Sequence, residues 1–267
     1  MHRITLPAIL LLALCGCDTA ADGGNALAPA TAQAGNGATA PTKPQAGHIV
    51  GRVLDTRGQP LAGADILVEN ALLYARYLRG TSGADGRFRV PVATGAWRVQ
   101  ASIVREYHGR SYTLELEPSS TDTFGGEGGV VDFTWKLQGR SPGSGGYGYH
   151  GGFVQLSTAL DYHGDLSDVE LVFTPSGPLI DGSSGETLRL RMHDHYWVQT
   201  FQIEDIPIGR YIVTATRKDA DGEHPMRIAD WYRQRAGNAD FQTEYQLDFL
   251  PNPPNGGRNS ASIVIGP

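Results

Sequence analysis

The chain has 267 residues, with 28 acidic residues against 22 Lys and Arg, a net charge of −6, and 40% hydrophobic and 19% charged residues. This is a globular composition with room for one large or two modest domains, and it excludes a disordered or fibrous chain. It also argues against a nucleic-acid binder, because phosphates call for a basic face and Lys and Arg do not cluster into one.

Residues 1–16 read as an export signal. Met1-His2-Arg3 is a short basic start, and Ile4–Leu14 is an apolar run of signal-core length, too short to span a bilayer as a stable helix. Leu14-Cys15-Gly16-Cys17 resembles the bacterial lipobox, with Leu14 three residues ahead of Cys17 and the small Gly16 just before it. Cys15 fits less well, because Leu14 would sit at the cleavage point. Both cysteines of the chain fall here, which favours lipidation of Cys17 over a plain secretory signal with incidental cysteines. The expectation is therefore a bacterial envelope protein whose membrane partner is reached through acyl chains on Cys17. The fold must then hold by core burial, with no cysteine left for a disulfide. Asp18 after the lipidated position leaves the membrane and the leaflet open.

Residues 17–47 are rich in Ala, Gly, Thr, Pro and Asn and bear no large aromatic, so they read as a flexible tether. Residues 48–137 form the first folded unit. Its strands are expected at Ile49–Leu54, Ala64–Glu69, Arg87–Val92, Trp97–Val104, Tyr112–Leu116 and Val130–Leu137, separated by Gly, Pro and Asp. Ala71–Leu78 is either a short helix or an irregular strand. Residues 138–152, QGRSPGSGGYGYHGG, read as a Gly/Ser-rich hinge. Residues 153–267 form a second unit. Its strands are expected at Phe153–Leu156, Val169–Thr174, Thr187–Met192, Trp197–Ile203, Tyr211–Arg217, Met226–Trp231, Tyr245–Leu250 and Ser260–Ile265. No segment carries a sustained helical period, so the predicted class is all-β, two tandem Ig- or transthyretin-like sandwiches after a signal and a tether.

The second unit repeats the first. Leu61–Val68 aligns with Leu166–Phe173 in apolar pattern, and Gly95–Ser102 aligns with Gly209–Thr216. Phe88 lies seven residues before Gly95, and Phe201 eight before Gly209. Phe88, Trp97 and Val99 are expected to point inward, with Asp85-Gly86 a turn and Gly95 a bend between strands.

The string Gly51–Asp55, Gly58–Ala64, Thr81, Asp85–Phe88 and Gly95–Ala101 resembles carboxypeptidase regulatory-like domains, which have a transthyretin-like or carbohydrate-binding-like fold. The resemblance covers His48–Ala101 well and implies the fold. It implies no peptidase activity, because the family's catalytic partner is a separate zinc domain. Such modules serve as appendages to enzymes, transporters, adhesins and sugar-binding proteins.

No reaction is legible in the motifs. Gly143-x-Gly145-x-x-Gly148 precedes a strand where a dinucleotide fingerprint needs a helix. Gly139-x-Ser141-x-Gly143 has no helix to complete a nucleophile elbow. Asp219-Ala-Asp-Gly222 lacks the Glu that closes a calcium loop and reads as a hairpin turn. His193 and His195 face one side of a strand, a weak metal candidate without a third ligand, so no metal and no cofactor is expected. What remains is binding. Tyr147, Tyr149, Tyr196, Trp197, Trp231 and Tyr232 offer flat faces that stack on sugars, with Tyr147 and Tyr149 the most exposed; each is more often a core or interface residue. The expected function is a non-enzymatic binding or scaffolding protein, its partner a glycan or another envelope protein. A structural spacer is the alternative, and an envelope hydrolase comes third.

Overall fold

A computed structural model gives the fold and describes residues 42–141, 148–191, 202–251 and 258–267. The strands of the first half are β1 (His48–Leu54), β2 (Asp65–Asn70), β3 (Tyr77–Thr81), β4 (Arg87–Pro91), β5 (Trp97–Tyr107), β6 (Arg110–Glu115), β7 (Glu117–Pro118), β8 (Gly128–Val130) and β9 (Phe133–Thr134). A small hairpin follows, β10 (Arg140–Ser141) with β11 (Gly148–Tyr149). The second half holds β12 (Gly152–Thr158), β13 (Val169–Pro175), β14 (Leu188–Arg191), β15 (Gln202–Ile206), β16 (Arg210–Asp219), β17 (Gly222–Asp230), a one-turn helix α1 (Trp231–Arg235), β18 (Tyr245–Asp248) and β19 (Ser260–Gly266).

The chain is all-β. In the first half, β3-β2-β5-β6 form one sheet, and β4-β1-β9-β7, with β8 also on β1, form the other. Trp97, Val99, Ala101 and Ile103 alternate inward along β5 between the exposed Arg98 and Gln100. This is the period-2 pattern of a sheet with one buried face. Phe88, Val90, Ile49 and Val53 face them from the second sheet in the same core. In the second half, the strands run in the order β14-β13-β16-β17-β19-β12-β15, with β18 on β16. Here β17 leaves one sheet for the other: Gly222–Met226 pair with β16, and Arg227–Asp230 pair with β19. The first half makes the same move at Leu116, between β6 on β5 and β7 on β9.

The repeat read in the sequence is reproduced in the ladders pair for pair. Ile66 opposes Ala101 as Leu171 opposes Ala215, Val68 opposes Val99 as Phe173 opposes Val213, and Asn70 opposes Trp97 as Pro175 opposes Tyr211. On the outer side, Ile66 opposes Gly80 as Leu171 opposes Leu190. Even an edge ion pair recurs: Arg79 lies 2.6 Å from Asp65, and Arg189 lies 3.7 Å from Glu170 at the matching positions. The bulky core residues are redistributed. β1 and β4 pair Gly51 with Phe88, whereas the corresponding β12 and β15 pair Val154 with Ile203. Gly51 is required there because a Cβ would lie 1.8 Å from the Val131 carbonyl and 2.7 Å from the Phe88 ring. A bulge between Gly152 and Val154 shifts the β12–β15 register, and Phe201, read in the sequence as the counterpart of Phe88, lies outside the described residues.

Three other expectations are corrected. Ala71–Leu78 is neither a helix nor one strand. The Asn70 side chain accepts from the amides of Leu72 and Leu73 at 3.0 and 2.9 Å, Ala75 takes a left-handed φ of 55°, and β3 begins only at Tyr77. Val130–Leu137 divides into β8 and β9, both parallel to β1, with Asp132 between them accepting from the Arg52 amide at 2.9 Å. The strand expected to include Trp231 ends at Asp230, whose side chain caps α1 by accepting from the Arg233 amide at 2.8 Å. Five helical residues are too few to leave a periodic signal.

Candidate functional site

The most elaborate polar constellation among the described residues lies where the two sandwiches meet, inside the compact unit Pro41–Pro267. The β5–β6 hairpin of the first half supplies Tyr107, Arg110 and Tyr112. The buried Tyr112 hydroxyl donates to the Phe249 carbonyl at 2.6 Å, and Arg110 donates to the same oxygen at 2.9 Å. The Tyr107 hydroxyl donates to the Pro178 carbonyl at 2.8 Å and accepts from the Arg210 amide at 3.0 Å. Burial pushes both phenols above their usual pKa, so they remain donors at neutral pH. Arg210 is held in turn by a bidentate pair with Asp248 at 2.7 and 2.9 Å, which raises its pKa further.

Two loops add to this junction. The Thr56 hydroxyl donates to Asp181 at 2.7 Å, so the turn at Asp181–Gly185 ties the second sandwich to the first. Asp205 sits at φ 64°, in the left-handed region, and its carboxylate accepts from the Gly139 amide at 2.9 and 3.0 Å and from the Gly151 amide at 3.2 Å. Gln138 donates to the Asp205 carbonyl at 2.9 Å. His150, buried, lies 2.7 Å from Glu117 of β7. Both described ends of the 138–152 segment are therefore fastened. Burial pushes the Asp205 carboxyl above the usual range, against the Gly139 and Gly151 amides that pull it down.

A cleft of about 410 Å³ opens beside this junction. Arg110 comes from the first sandwich; Asp230, Tyr232, Gln242, Tyr245 and Asp248 come from the second. Its carboxylates are already engaged: Asp230 caps α1, Asp248 binds Arg210, and Asp240 accepts from Gln242 at 3.0 Å. Arg233, Gln246 and Ser262 add further hydrogen-bonding groups to its walls.

The aromatic residues expected to bind are not brought together. Trp231 and Tyr232 are adjacent on α1, with ring centroids 5.0 Å apart, and the Arg235 guanidinium covers one indole face at 4.9 Å. Only Tyr232 is exposed and lines the cleft. Tyr149, expected to be open, is half-buried in β11 with the Arg140 guanidinium 5.6 Å over its ring. Cys17, Tyr147, His193, His195, Tyr196 and Trp197 lie outside the described residues. Ser141 is buried in β10. Among the described residues, no group of three or more His, Cys, Asp or Glu is placed to hold a metal ion, and no helix is long and apolar enough to cross a membrane. Sequence reasoning missed Tyr107, Tyr112 and Asp205, whose partners lie tens of residues away or more.

No family model and no curated protein matches the chain. Among solved structures, it is similar to the Bacillus anthracis TIE protein, with 10% identity and a TM-score of 0.32, over 83% of this chain and 34% of that one. A Streptococcal ancillary pilin gives 11% identity and a TM-score of 0.24, over 82% and 69%. A single B repeat unit of the collagen binding surface protein of Staphylococcus aureus gives 7% and 0.23, over 83% and 98%. The chain thus spans about a third of the first of these. None of the three assigns a function to this chain.

Proposed function

We propose that the protein is a non-enzymatic scaffold of the bacterial envelope, anchored through lipidated Cys17, in which residues 48–137 and 153–267 are two domains joined by residues 138–152. The fastened junction carries this reading. Two repeats of one sandwich are tied by hydrogen bonds that Tyr107 and Tyr112 donate and Asp181 accepts, and Asp205 accepts from both described ends of the segment between them, which suits a part that holds a fixed shape. The resemblance of His48–Ala101 to carboxypeptidase regulatory-like modules supports an appendage role, and the lipobox-like Leu14–Cys17 supports the anchor. Cys17→Ala is expected to move the protein from the membrane to the soluble fraction of cells. Unchanged fractionation would remove the anchor from the proposal.

A second reading, sugar binding, draws on one observation: the polar cleft with Tyr232 at its rim. On a glycan array, reproducible binding abolished by Tyr232→Ala or Trp231→Ala is the expected result for that reading. Silence of the unmodified protein leaves the spacer.

A further inference from the structure

The largest exposed apolar side chains of the first sandwich are concentrated in one turn. Between β2 and β3, Leu72 is 78% exposed, Leu73 58% and Tyr74 98%. Scattered surface leucines need no explanation, but two leucines and a tyrosine in succession at a hairpin tip do. The tip is built rather than loose. Asn70, itself buried, holds the amides of Leu72 and Leu73, the Asn70 amide donates to Arg76 O at 2.8 Å, and the Ala71 amide donates to Ala96 O at 2.7 Å. Its own Asx bonds thus present the three side chains outward. Tyr77, at the start of the edge strand β3, is also 48% exposed, and Arg76 stands between it and the tip.

The position of this tip decides what it meets. The segment Val92–Ala96 links it to the place where residues 42–48 join the sandwich: Val92 N donates to Gly47 O at 2.9 Å, and Ala96 O accepts from Ala71 N. Gly47 N in turn donates to Glu127 O at 2.9 Å. The apolar tip and the approach of the chain from Cys17 therefore share one end of the first sandwich. The second sandwich is at the other end, where Tyr107 meets Pro178 and Arg210, about 30 Å away along β5. Twenty-four residues separate Cys17 from Thr42. A lipid on Cys17 would thus lead into the domain at this end, with a flexible span of about 25–30 Å between the bilayer and Thr42.

We infer that the Leu72-Leu73-Tyr74 turn inserts into the surface of the bilayer that carries the anchor, so that the first sandwich stands on the membrane and the second points away from it. The chemistry fits. Leucines enter the acyl boundary, tyrosine favours the interface with its hydroxyl wet, and Arg76 reaches headgroup phosphates with its stem along the apolar layer. The exposed Glu127 shares this end, so the contact is driven by apolar insertion and not by net charge. The free protein binds vesicles through this contact with modest affinity, and the contact becomes more populated once a lipid confines the protein to the surface. The orientation rests on the lipid-anchor reading, whereas the insertion itself does not.

The test therefore uses the full chain without the anchor. In a Cys15→Ala/Cys17→Ala background, Tyr74→Cys is labelled with an environment-sensitive nitrobenzoxadiazole dye and mixed with phosphatidylethanolamine–phosphatidylglycerol vesicles at about 3:1. Asp221→Cys, in the exposed turn between β16 and β17 at the far end of the second sandwich, is the control. The expected result is a blue-shifted emission that rises several-fold at position 74, persists in about 0.5 M salt and is absent at position 221. Adding Leu72→Asp and Leu73→Asp should cut the apparent vesicle affinity roughly tenfold or more, with an unchanged melting temperature because both side chains are exposed. A silent position 74, an equal response at position 221, or full retention in the aspartate variant overturns the inference. So does a position-74 signal that grows with protein concentration without vesicles, which assigns the tip to a second copy of the chain. Retention of Cys17→Ala in the membrane fraction of cells when Leu72→Asp and Leu73→Asp are also present removes the anchor and not the insertion.

Discussion

Phe88→Ala should destabilise the protein by about 3–5 kcal/mol, the cost of truncating a buried aromatic in a packed core. For a unit of this size that corresponds to a fall in melting temperature of roughly 6–20 °C. Phe88 is 5% exposed, its ring centroid lies 6.0 Å from that of the fully buried Phe133, and it fills the space that Gly51 leaves on the opposing strand. Gly51 cannot grow into the resulting cavity, because its Cβ direction is blocked by the Val131 carbonyl whatever stands at position 88. The void therefore stays open and the cavity cost is added to the lost transfer energy. In the second sandwich, the β12–β15 ladder pairs Ile203 with Val154, two medium-sized core side chains. Ile203→Val should then cost only about 0.5–1.5 kcal/mol. Thermal unfolding of the two variants checks both values, and an unchanged melting temperature for Phe88→Ala would refute the core assignment.

Asp205→Ala should cost about 2–5 kcal/mol, summed from two sources. Alanine at φ 64° carries the left-handed penalty that Asp tolerates by local hydrogen bonding. The Gly139 and Gly151 amides lose their acceptor, and Gly151 is buried. Gly151 also passes so close to this turn that a Cβ would lie 2.6 Å from the Asp205 carbonyl carbon, so the segment cannot settle inward to find another partner. Asp205→Asn keeps an acceptor and accepts the same backbone conformation, so it should be far milder. It also isolates the pH dependence. The carboxyl pKa is raised in the folded state, so the folded protein holds this proton more tightly than the unfolded chain does. The stability from this group is thus fully present below the ordinary aspartate pKa of 3.8 and is lost as pH rises through the raised folded value. Relative to Asp205→Asn, the unmodified protein should weaken between acidic and neutral pH. Urea unfolding of both at matched pH values measures the difference, and an opposite slope would show that the amide bonds outweigh burial.

The junction variant also bears on function. If the protein acts by holding a fixed shape, Asp205→Ala should loosen the two sandwiches with the individual cores intact, whereas Phe88→Ala should weaken the first core itself. Comparing near-neighbour distances across the junction with melting behaviour separates these effects.

Much of the fold could be read from the amino acids. Alternating apolar residues such as Trp97, Val99, Ala101 and Ile103 mark a one-sided sheet, because burial on one face of a strand repeats every two residues. The repeat of Leu61–Val68 and Gly95–Ser102 in the second half is legible for the same reason, and the ladders match it residue by residue. What only the tertiary structure decided is where the halves touch. Tyr112 and Phe249 are 137 residues apart, and nothing in the neighbourhood of either announces the other. The left-handed turn at Asp205 follows from the Gly139 and Gly151 amides that surround it, since its own sequence, Glu-Asp-Ile, reads as plain strand. Likewise, Leu72, Leu73 and Tyr74 look like core residues in a sequence, where apolar means inside. Their exposure is fixed by a buried Asn70 that spends its side chain on the turn, and their place beside the incoming chain is fixed by how β1, β4 and β5 are brought to one end of the sheet pair. Local periodicity reports which way a side chain faces, whereas the assembly of loops depends on contacts between segments far apart in the chain.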